Sequence, residues 1–304
     1  MGGTNVWDAE WEVNEEQART LIGRQFPELS SKQVKRLGWG WDNTVFLIGD
    51  EYVFRFPRRT FAVGAIRMEG KLLPKLAAYL TIPYPKPLFY GEASDEYPAP
   101  FLGYAHVPGD FPIGLTEEHR ALSAETLAEF LRRLHEFPVD TALKYGVQQD
   151  HRSLTDIASR KVKMEGFLSK LVEHLSPAES GRIEAYISRL QQDRVEEVNV
   201  LLHGDLHFKN MLVNENGIVS GIIDWGDLSV GHPACDLSVA YSFLPPYARG
   251  VFFETYGGAD EDTKLLARLM AVYIPMLIFM QAVDDGNEAI AAEAKSNIMR
   301  ALSD

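Results

Sequence analysis

The segment LLHGDLHFKNMLVNENGIVSGIIDWGD, residues 201–227, brings three oxygen-bearing side chains close together in sequence: Asp205, Asn210 and Asp224. An apolar run delivers His203-Gly204-Asp205, and Asn210 follows five positions after the aspartate. A turn then returns the chain to a second apolar run, GIID, which ends at Asp224. Any one of these residues alone is an ordinary turn former. Together, at the ends of apolar strands, they set two ligand oxygens beside a carboxylate. Mg2+ takes hard oxygen donors and keeps several waters, so one carboxylate, one amide oxygen and phosphate oxygens suit it. Phosphoryl transfer asks the protein for positioning, for metal-bridged phosphates and for a carboxylate that orients a hydroxyl and accepts its proton. The pattern D-x-x-x-x-N, followed by a second Asp at the end of an apolar strand, predicts that chemistry. A zinc hydrolase does not fit. His203 and His207 are four apart, but Gly204 and the strand context deny them a helix face, and no H-E-x-x-H occurs.

The elements that must position these residues change character along the chain. Asn14 to Ile22 reads as an opening helix. Thr44–Ile48 (TVFLI) and Glu51–Phe56 (EYVFRF) are rich in β-branched and aromatic residues, and Gly49-Asp50 between them supplies a hairpin turn. A helix over Val63–Tyr79 stops near Pro83, Pro85 and Pro87, and Leu88–Tyr90 and Phe101–Val107 read as further strands. Pro108, Gly109 and Asp110 break the chain. Beyond them Leu127, Phe130, Leu131 and Leu134 follow helical spacing, with Ser123 as the expected N-cap. Helices over Leu154–Leu175 and Ala178–Arg194 come next. A strand-rich block follows at Val198–Leu202, Met211–Val213 and Ile218–Ile223, with Asn216-Gly217 as the turn between the last two. After Pro233 the pattern is helical. The order predicts an α+β chain of two domains: residues 1–107 with an antiparallel sheet, and a mainly helical part, 108–304.

Composition narrows the class. Of the 304 residues, 46% are hydrophobic and 24% charged, as in folded globular proteins. The formal charge of -13 repels nucleic acid and anionic lipid and attracts cations. The single cysteine, Cys235, excludes an internal disulfide, and no Cys/His zinc cluster occurs. The N-terminal MGGTNVWDAEWEVNEEQ lacks an apolar signal core. The most apolar stretch, residues 271–280, is about half the roughly 20 residues a spanning helix needs. These features predict a soluble cytoplasmic protein with no nucleic-acid, membrane or protein partner implied.

HGDLHFKN followed by IIDWGDLSVGHPACDLS resembles the catalytic core of the aminoglycoside/macrolide phosphotransferase family, antibiotic kinases that share the protein-kinase-like fold. The likeness runs from about Leu37 to the C-terminus. It implies a two-lobe fold with nucleotide between the lobes, Asp205 as catalytic base, Asn210 and Asp224 as Mg2+ ligands, and His203 and Asp236 as braces of the loop. Asp236 is equally a candidate helix N-cap. In GWGWDNTVFLIGDEYVFRFPRR the resemblance implies a nucleotide loop, where Gly38 and Gly40 would let backbone N–H groups approach phosphate. Many members carry a lysine on the second hairpin strand, paired with a glutamate on the next helix. Here the strand offers Arg55 and the helix Glu69; a guanidinium still binds phosphate, with different geometry. Arg58 and Arg59 read as surface charges. The strand Phe101–Val107 would be the hinge, its backbone at Tyr104, His106 and Val107 contacting the nucleobase. Main-chain recognition leaves ATP and GTP both open as donor.

The acceptor implied is a cationic, hydroxylated small molecule. Two features resemble the macrolide kinases of the family and so imply a macrolide: the arginine in an R-F-P-R-R run, Arg55 to Arg59, and the tail DDGNEAIAAEAK at 284–295. The expected site is the amino-sugar 2'-hydroxyl, with Ile274, Met276, Leu277, Phe279 and Met280 as an apolar wall or as core. Asn210 favours an aminoglycoside instead, because several macrolide kinases have histidine there. That acceptor wants carboxylates, for which Asp227, Asp260, Glu261, Asp262, Asp284 and Asp285 are available. A choline- or homoserine-type metabolite kinase would share the motif, and a nucleotide-binding pseudokinase is the non-enzymatic alternative. A protein kinase fits less well, since HGD replaces H-R-D and no A-P-E follows Asp224.

Overall fold

A computed structural model of the chain describes residues 9–40, 42–152, 154, 156–191 and 198–304. The start of the N-terminal acidic segment, Trp41 and residues 192–194 of the third predicted long helix therefore lie outside the described residues. The chain divides into two compact units, one holding residues up to Ala78 together with Tyr84–Val107, the other Tyr79–Pro83 with Pro108–Asp304.

The first unit opens with α1 (Glu15–Gln25), started by a capping box in which Asn14 and Gln17 each accept the other's backbone N–H. β1 (Val34–Trp39), β2 (Asn43–Ile48) and β3 (Tyr52–Pro57) follow, then α2 (Thr60–Leu76), β4 (Pro87–Gly91) and β5 (Phe101–Ala105). The strands form one antiparallel sheet in the order β1-β2-β3-β5-β4. The β2–β3 hairpin turns where expected: Gly49 and Asp50 both adopt positive φ, 56° and 58°, the conformation a tight right-twisted hairpin demands. Alternation puts Phe46, Phe54, Phe56 and Phe101 on one buried face, with Phe56 stacked on Phe101 at 4.4 Å between ring centres. Gly103, opposite Phe54 in the register, is small by necessity, since a Cβ there would sit 2.4 Å from the Phe54 ring.

The second unit contains α3 (Glu117–Ala121), α4 (Ala124–His135), α5 (Val139–Lys144), the short β6 (Gln148–Gln149), α6 (Ile157–Leu171) and α7 (Pro177–Arg189). β7 (Val200–Leu202), β8 (Met211–Val213), β9 (Val219–Ile222) and β10 (Ser229–Gly231) make the strand insert. The helices α8 (Ala234–Leu237), α9 (Val239–Ser242), α10 (Arg249–Tyr256), α11 (Glu261–Asp284) and α12 (Glu288–Ala301) complete it. β7 pairs with β10 and β8 with β9, so both ends of the segment 203–224 are anchored on ladders. Gly217 turns the β8–β9 hairpin at φ 73°, while the Asn214 side chain accepts the N–H groups of Asn216 and Ile218.

Two expectations change here. Ser123 precedes α4 but does not cap it; its hydroxyl accepts the N–H of Val219 at 2.9 Å and so ties α4 to β9. α11 has 24 residues and is long and apolar enough to cross a membrane by length and composition, unlike the ten-residue stretch read from the sequence. Most of its apolar window is buried, packed against α6, α8, α9 and α12 as the core helix of this unit.

Candidate active site

The loop that leaves β7 is held from below by one buried carboxylate. Asp236, fully buried in α8, accepts the N–H of His203 at 2.7 Å and that of Gly204 at 3.0 Å, and His135 Nε2 lies 3.2 Å from it. Burial opposes ionisation of Asp236, but His135, His203 and the Gly204 N–H outweigh it and hold the carboxyl below its ordinary range. His135 Nδ1 in turn meets the Tyr256 hydroxyl at 2.8 Å. Asp236 is therefore a brace and not a side-chain helix cap. His203, also fully buried, accepts the Asp205 N–H at Nδ1, which assigns the ring proton to Nε2, donating to Ile223 O at 3.1 Å. Gly204 takes φ 89°, and a Cβ there would lie 2.1 Å from Asp227 O, so no other residue fits this turn.

Asp205 and Asn210 meet directly. Asn210 Nδ2 donates to the Asp205 backbone carbonyl at 2.8 Å and to Asp205 Oδ2 at 3.0 Å. With both amide hydrogens so used, Oδ1 is the face of Asn210 that can bind a cation. His207 Nε2 stands 3.4 Å from the same Asp205 oxygen. Burial works against the charge on Asp205, yet His207, His203 and Arg152 together keep its carboxyl below the ordinary 3.8. The Ile223 N–H donates to Asn210 O at 2.9 Å, which lashes the start of the Asp224 turn to the Asn210 turn. Asp224 is exposed and sits at φ 60°, a left-handed conformation uncommon outside glycine. Asp227 is near enough to feel both: burial first, then the charges of Asp205 and Asp224, push its carboxyl pKa up.

A cavity of about 570 Å3 opens beside Asp205 and His207. One wall is a helical stripe of α11, Met270, Tyr273, Ile274, Leu277 and Ile278, spaced i, i+3, i+4, i+7 and i+8. The lining also includes Arg152, Arg160 and Lys163. Of the expected apolar wall, Ile274 and Leu277 line this cavity. Phe279 does not: helical periodicity turns it to another face, where it is buried near His174 and borders a separate hollow of about 360 Å3. Met276 is wholly buried in the core. Nor do the carboxylates suggested for a polycation line the cavity. Asp260 caps α11 through Thr263 N at 2.6 Å, Glu261 pairs with Lys264, and Asp285 accepts from Gln281.

Arg152 went unnoticed in the sequence. Its Nε donates to Asp150 Oδ1 at 2.6 Å, Nη1 to Gly204 O, and Nη2 to Ser229 Oγ at 3.3 Å, clamping the turn before Asp205. Nothing in its local pattern marks it, because all but one of its partners come from distant strands.

The first unit gathers a second group. Arg55 on β3 reaches both oxygens of Glu69 on α2, with Nη1 at 3.1 and 2.9 Å, and the Tyr104 hydroxyl donates to Glu69 Oε2 at 2.9 Å. Glu69 is 1% exposed, so the pair is desolvated on its acidic side. Tyr104 thus contributes its side chain, where only its backbone was anticipated. His106 donates its N–H to Glu51 O at 2.8 Å. Val107 is buried at the end of this unit. Gly40 likewise donates its N–H to Asn43 O at 2.9 Å, so that amide is not offered to phosphate; neither Gly38 nor Gly40 has positive φ. Arg58 and Arg59 are more than surface charges: Arg58 Nη1 holds Gly40 O at 2.9 Å and Arg59 pairs with Asp42, fixing the loop ahead of β2.

Residues 33–272 match the model of the phosphotransferase enzyme family. An aminoglycoside 3'-phosphotransferase from Streptomyces fradiae is 30% identical over 200 residues, covering 61% of this chain and 70% of its own. The GDP complex of an aminoglycoside 2'-phosphotransferase superposes with a TM-score of 0.67 at 23% identity, over 95% of this chain and 99% of the other. A macrolide 2'-phosphotransferase from Brachybacterium faecium superposes with a TM-score of 0.61 at 21% identity, over 93% and 98%. The fold is the protein-kinase-like fold of these enzymes. On the family match and the Streptomyces fradiae relative, the chain belongs to the phosphotransferase enzyme family.

Proposed function

We propose that the chain transfers the terminal phosphate of GTP or ATP to a hydroxyl of a small molecule seated in the cavity beside Asp205. The observation that carries this reading is the contact of Asn210 Nδ2 with Asp205 Oδ2 at 3.0 Å, at the edge of a cavity of about 570 Å3. In this reading Asp205, already ionised, orients the accepting hydroxyl and takes its proton as the new O–P bond forms. Asn210 and His207 hold the carboxylate in one rotamer. Arg55, aligned by Glu69, supplies a fixed cation for the nucleotide phosphates. The donor set of Asn210 Oδ1 and Asp224 is hard oxygen and suits Mg2+, which asks for few protein ligands. When bound, Mg2+ would neutralise the charge of the nucleotide phosphates. The backbone at Tyr104, His106 and Val107 is the proposed contact for the nucleobase, with the carbonyl of His106 as its acceptor.

The finer assignment is a macrolide phosphorylated at the 2'-hydroxyl of its amino sugar. The stripe of α11 from Met270 to Ile278 suits a macrolactone ring, and among the described residues the cavity offers only Asp156 and Asp205 as carboxylates. An aminoglycoside acceptor is the second reading, favoured by the 30% identical relative from Streptomyces fradiae. A phosphorylation panel of erythromycin, kanamycin and gentamicin, each with ATP and GTP, tests both. Nucleotide-dependent transfer to erythromycin is the expected result, and transfer only to the other two would replace it with the second reading. Transfer to none would set the antibiotic assignment aside.

A further inference from the structure

A chain of net charge -13 would be expected to offer a cationic acceptor a negative pocket, but among the described residues the cavity beside Asp205 carries Arg152, Arg160 and Lys163 against only Asp156 and Asp205. Two of these charges are engaged elsewhere. Asp156 caps α6 by accepting the Ser159 N–H at 3.0 Å, and Arg152 clamps Asp150, Gly204 and Ser229. What faces the contents, besides Asp205, is the pair Arg160 and Lys163, three apart and so on one face of α6.

Arg160 carries a second, independent observation. It is 5% exposed, its Nη2 donates to Arg152 O, and its guanidinium lies 4.8 Å from the Tyr273 ring centre. Its Nε is buried with no hydrogen-bond partner. A buried donor left unmatched is costly, and such groups normally find an acceptor in protein, water or ligand. The charge is therefore fixed in the wall of the cavity and dehydrated, which lengthens its reach toward a cation in the cavity.

We propose that Arg160 and Lys163 are the specificity-determining residues of this site: they reject polycationic acceptors and admit oxygen-rich acceptors bearing no more than one positive charge. The proposal rests on the reading of this cavity as the acceptor site. Two fixed cations repel several ammonium groups crowded near them, while uncharged ketone or ester oxygens above the α11 stripe meet no such repulsion. Sign of charge, more than size, then separates the two antibiotic classes.

The test uses the full chain saturated with GDP and measures Kd for kanamycin and erythromycin by calorimetry, in wild type, Lys163→Ala and Lys163→Glu. Lys163 is exposed, so these variants keep the fold. Wild type is expected to bind erythromycin at least about tenfold tighter than kanamycin. Kanamycin affinity should rise in steps, about threefold in Lys163→Ala and about tenfold in Lys163→Glu, as repulsion is removed and then reversed. The gain should shrink in high salt, which screens charge but not packing. Erythromycin Kd should shift by less than about threefold. Kanamycin binding by wild type as tight as erythromycin, or a kanamycin Kd constant within about twofold across the series, overturns the proposal. If neither drug is phosphorylated yet the graded kanamycin response appears, the macrolide reading fails while the charge filter stands.

Discussion

Replacing Asp236 with asparagine tests how the loop before Asp205 is held. The carboxylate accepts two buried backbone N–H groups, from His203 at 2.7 Å and Gly204 at 3.0 Å, and meets His135 at 3.2 Å. An asparagine of the same shape has one acceptor oxygen, so its NH2 must face one of those N–H donors. An unmatched buried donor costs about 1–3 kcal/mol, and two N–H donors here depend on the carboxylate, so a loss of roughly 3 kcal/mol is expected at neutral pH. The dependence on acidity follows from sign. The folded-state pKa of Asp236 lies below the ordinary 3.8, so its stabilisation is complete above that value and disappears as pH falls through the lower folded one. The gap between wild type and Asp236→Asn should therefore close in strong acid. Urea unfolding at neutral and acid pH measures it. In the assay, kcat should fall about 100-fold through misplacement of Asp205, with the nucleotide KM little changed. A variant within about 0.5 kcal/mol of wild type at pH 7, or a gap that widens in acid, would refute the bracing role.

Other perturbations have equally definite outcomes. Arg55→Ala removes the guanidinium from Glu69, which is 1% exposed and keeps the Tyr104 hydroxyl as a donor; a loss of about 3 kcal/mol in urea unfolding and a raised nucleotide KM are expected, whereas Arg55→Lys should recover part of both. Gly204→Ala places a Cβ 2.1 Å from Asp227 O at φ 89°, so unfolding should occur at lower temperature by a margin of at least about 3 kcal/mol, and an unchanged melting temperature would contradict the geometry. Because Asp205 ionises below its ordinary 3.8, kcat/KM should stay flat on descending to pH 5 as far as this group governs it. Leu277→Asp, on the α11 stripe, should raise the erythromycin KM far more than the nucleotide KM, as initial-rate measurements would reveal.

Much of the fold was legible because local chemistry and tertiary burial agree there. The β2–β3 hairpin combines β-branched and aromatic strands with Gly49-Asp50, and both residues take the positive φ that such a turn requires. Asn216-Gly217 marked the β8–β9 turn, where Gly217 takes the positive φ and Asn216 does not, and the i, i+3, i+4 spacing marked α4. β1 escaped notice because it is an edge strand: Lys35, Arg36 and Leu37 are all exposed, so no alternation is written in VKRLGW. In the candidate site, proximity in sequence made Asp205 and Asn210 visible together, since a five-residue turn can bridge them. Arg152 and Arg160 were invisible, because their partners lie on Gly204, Ser229 and Tyr273, far along the chain. Phe279 misled through composition alone. Apolar residues fill several faces of α11, and only packing distinguishes the cavity wall from the core.

The account turns on a proton leaving a hydroxyl for the Asp205 carboxylate. Asp205→Asn keeps the shape and the contact with Asn210 but removes the base, so steady-state rates and nucleotide affinity measured side by side on this variant probe it most directly. The account predicts kcat lowered by about a thousandfold or more, with nucleotide Kd within about threefold of wild type. A variant that turns over at a rate near wild type would contradict it.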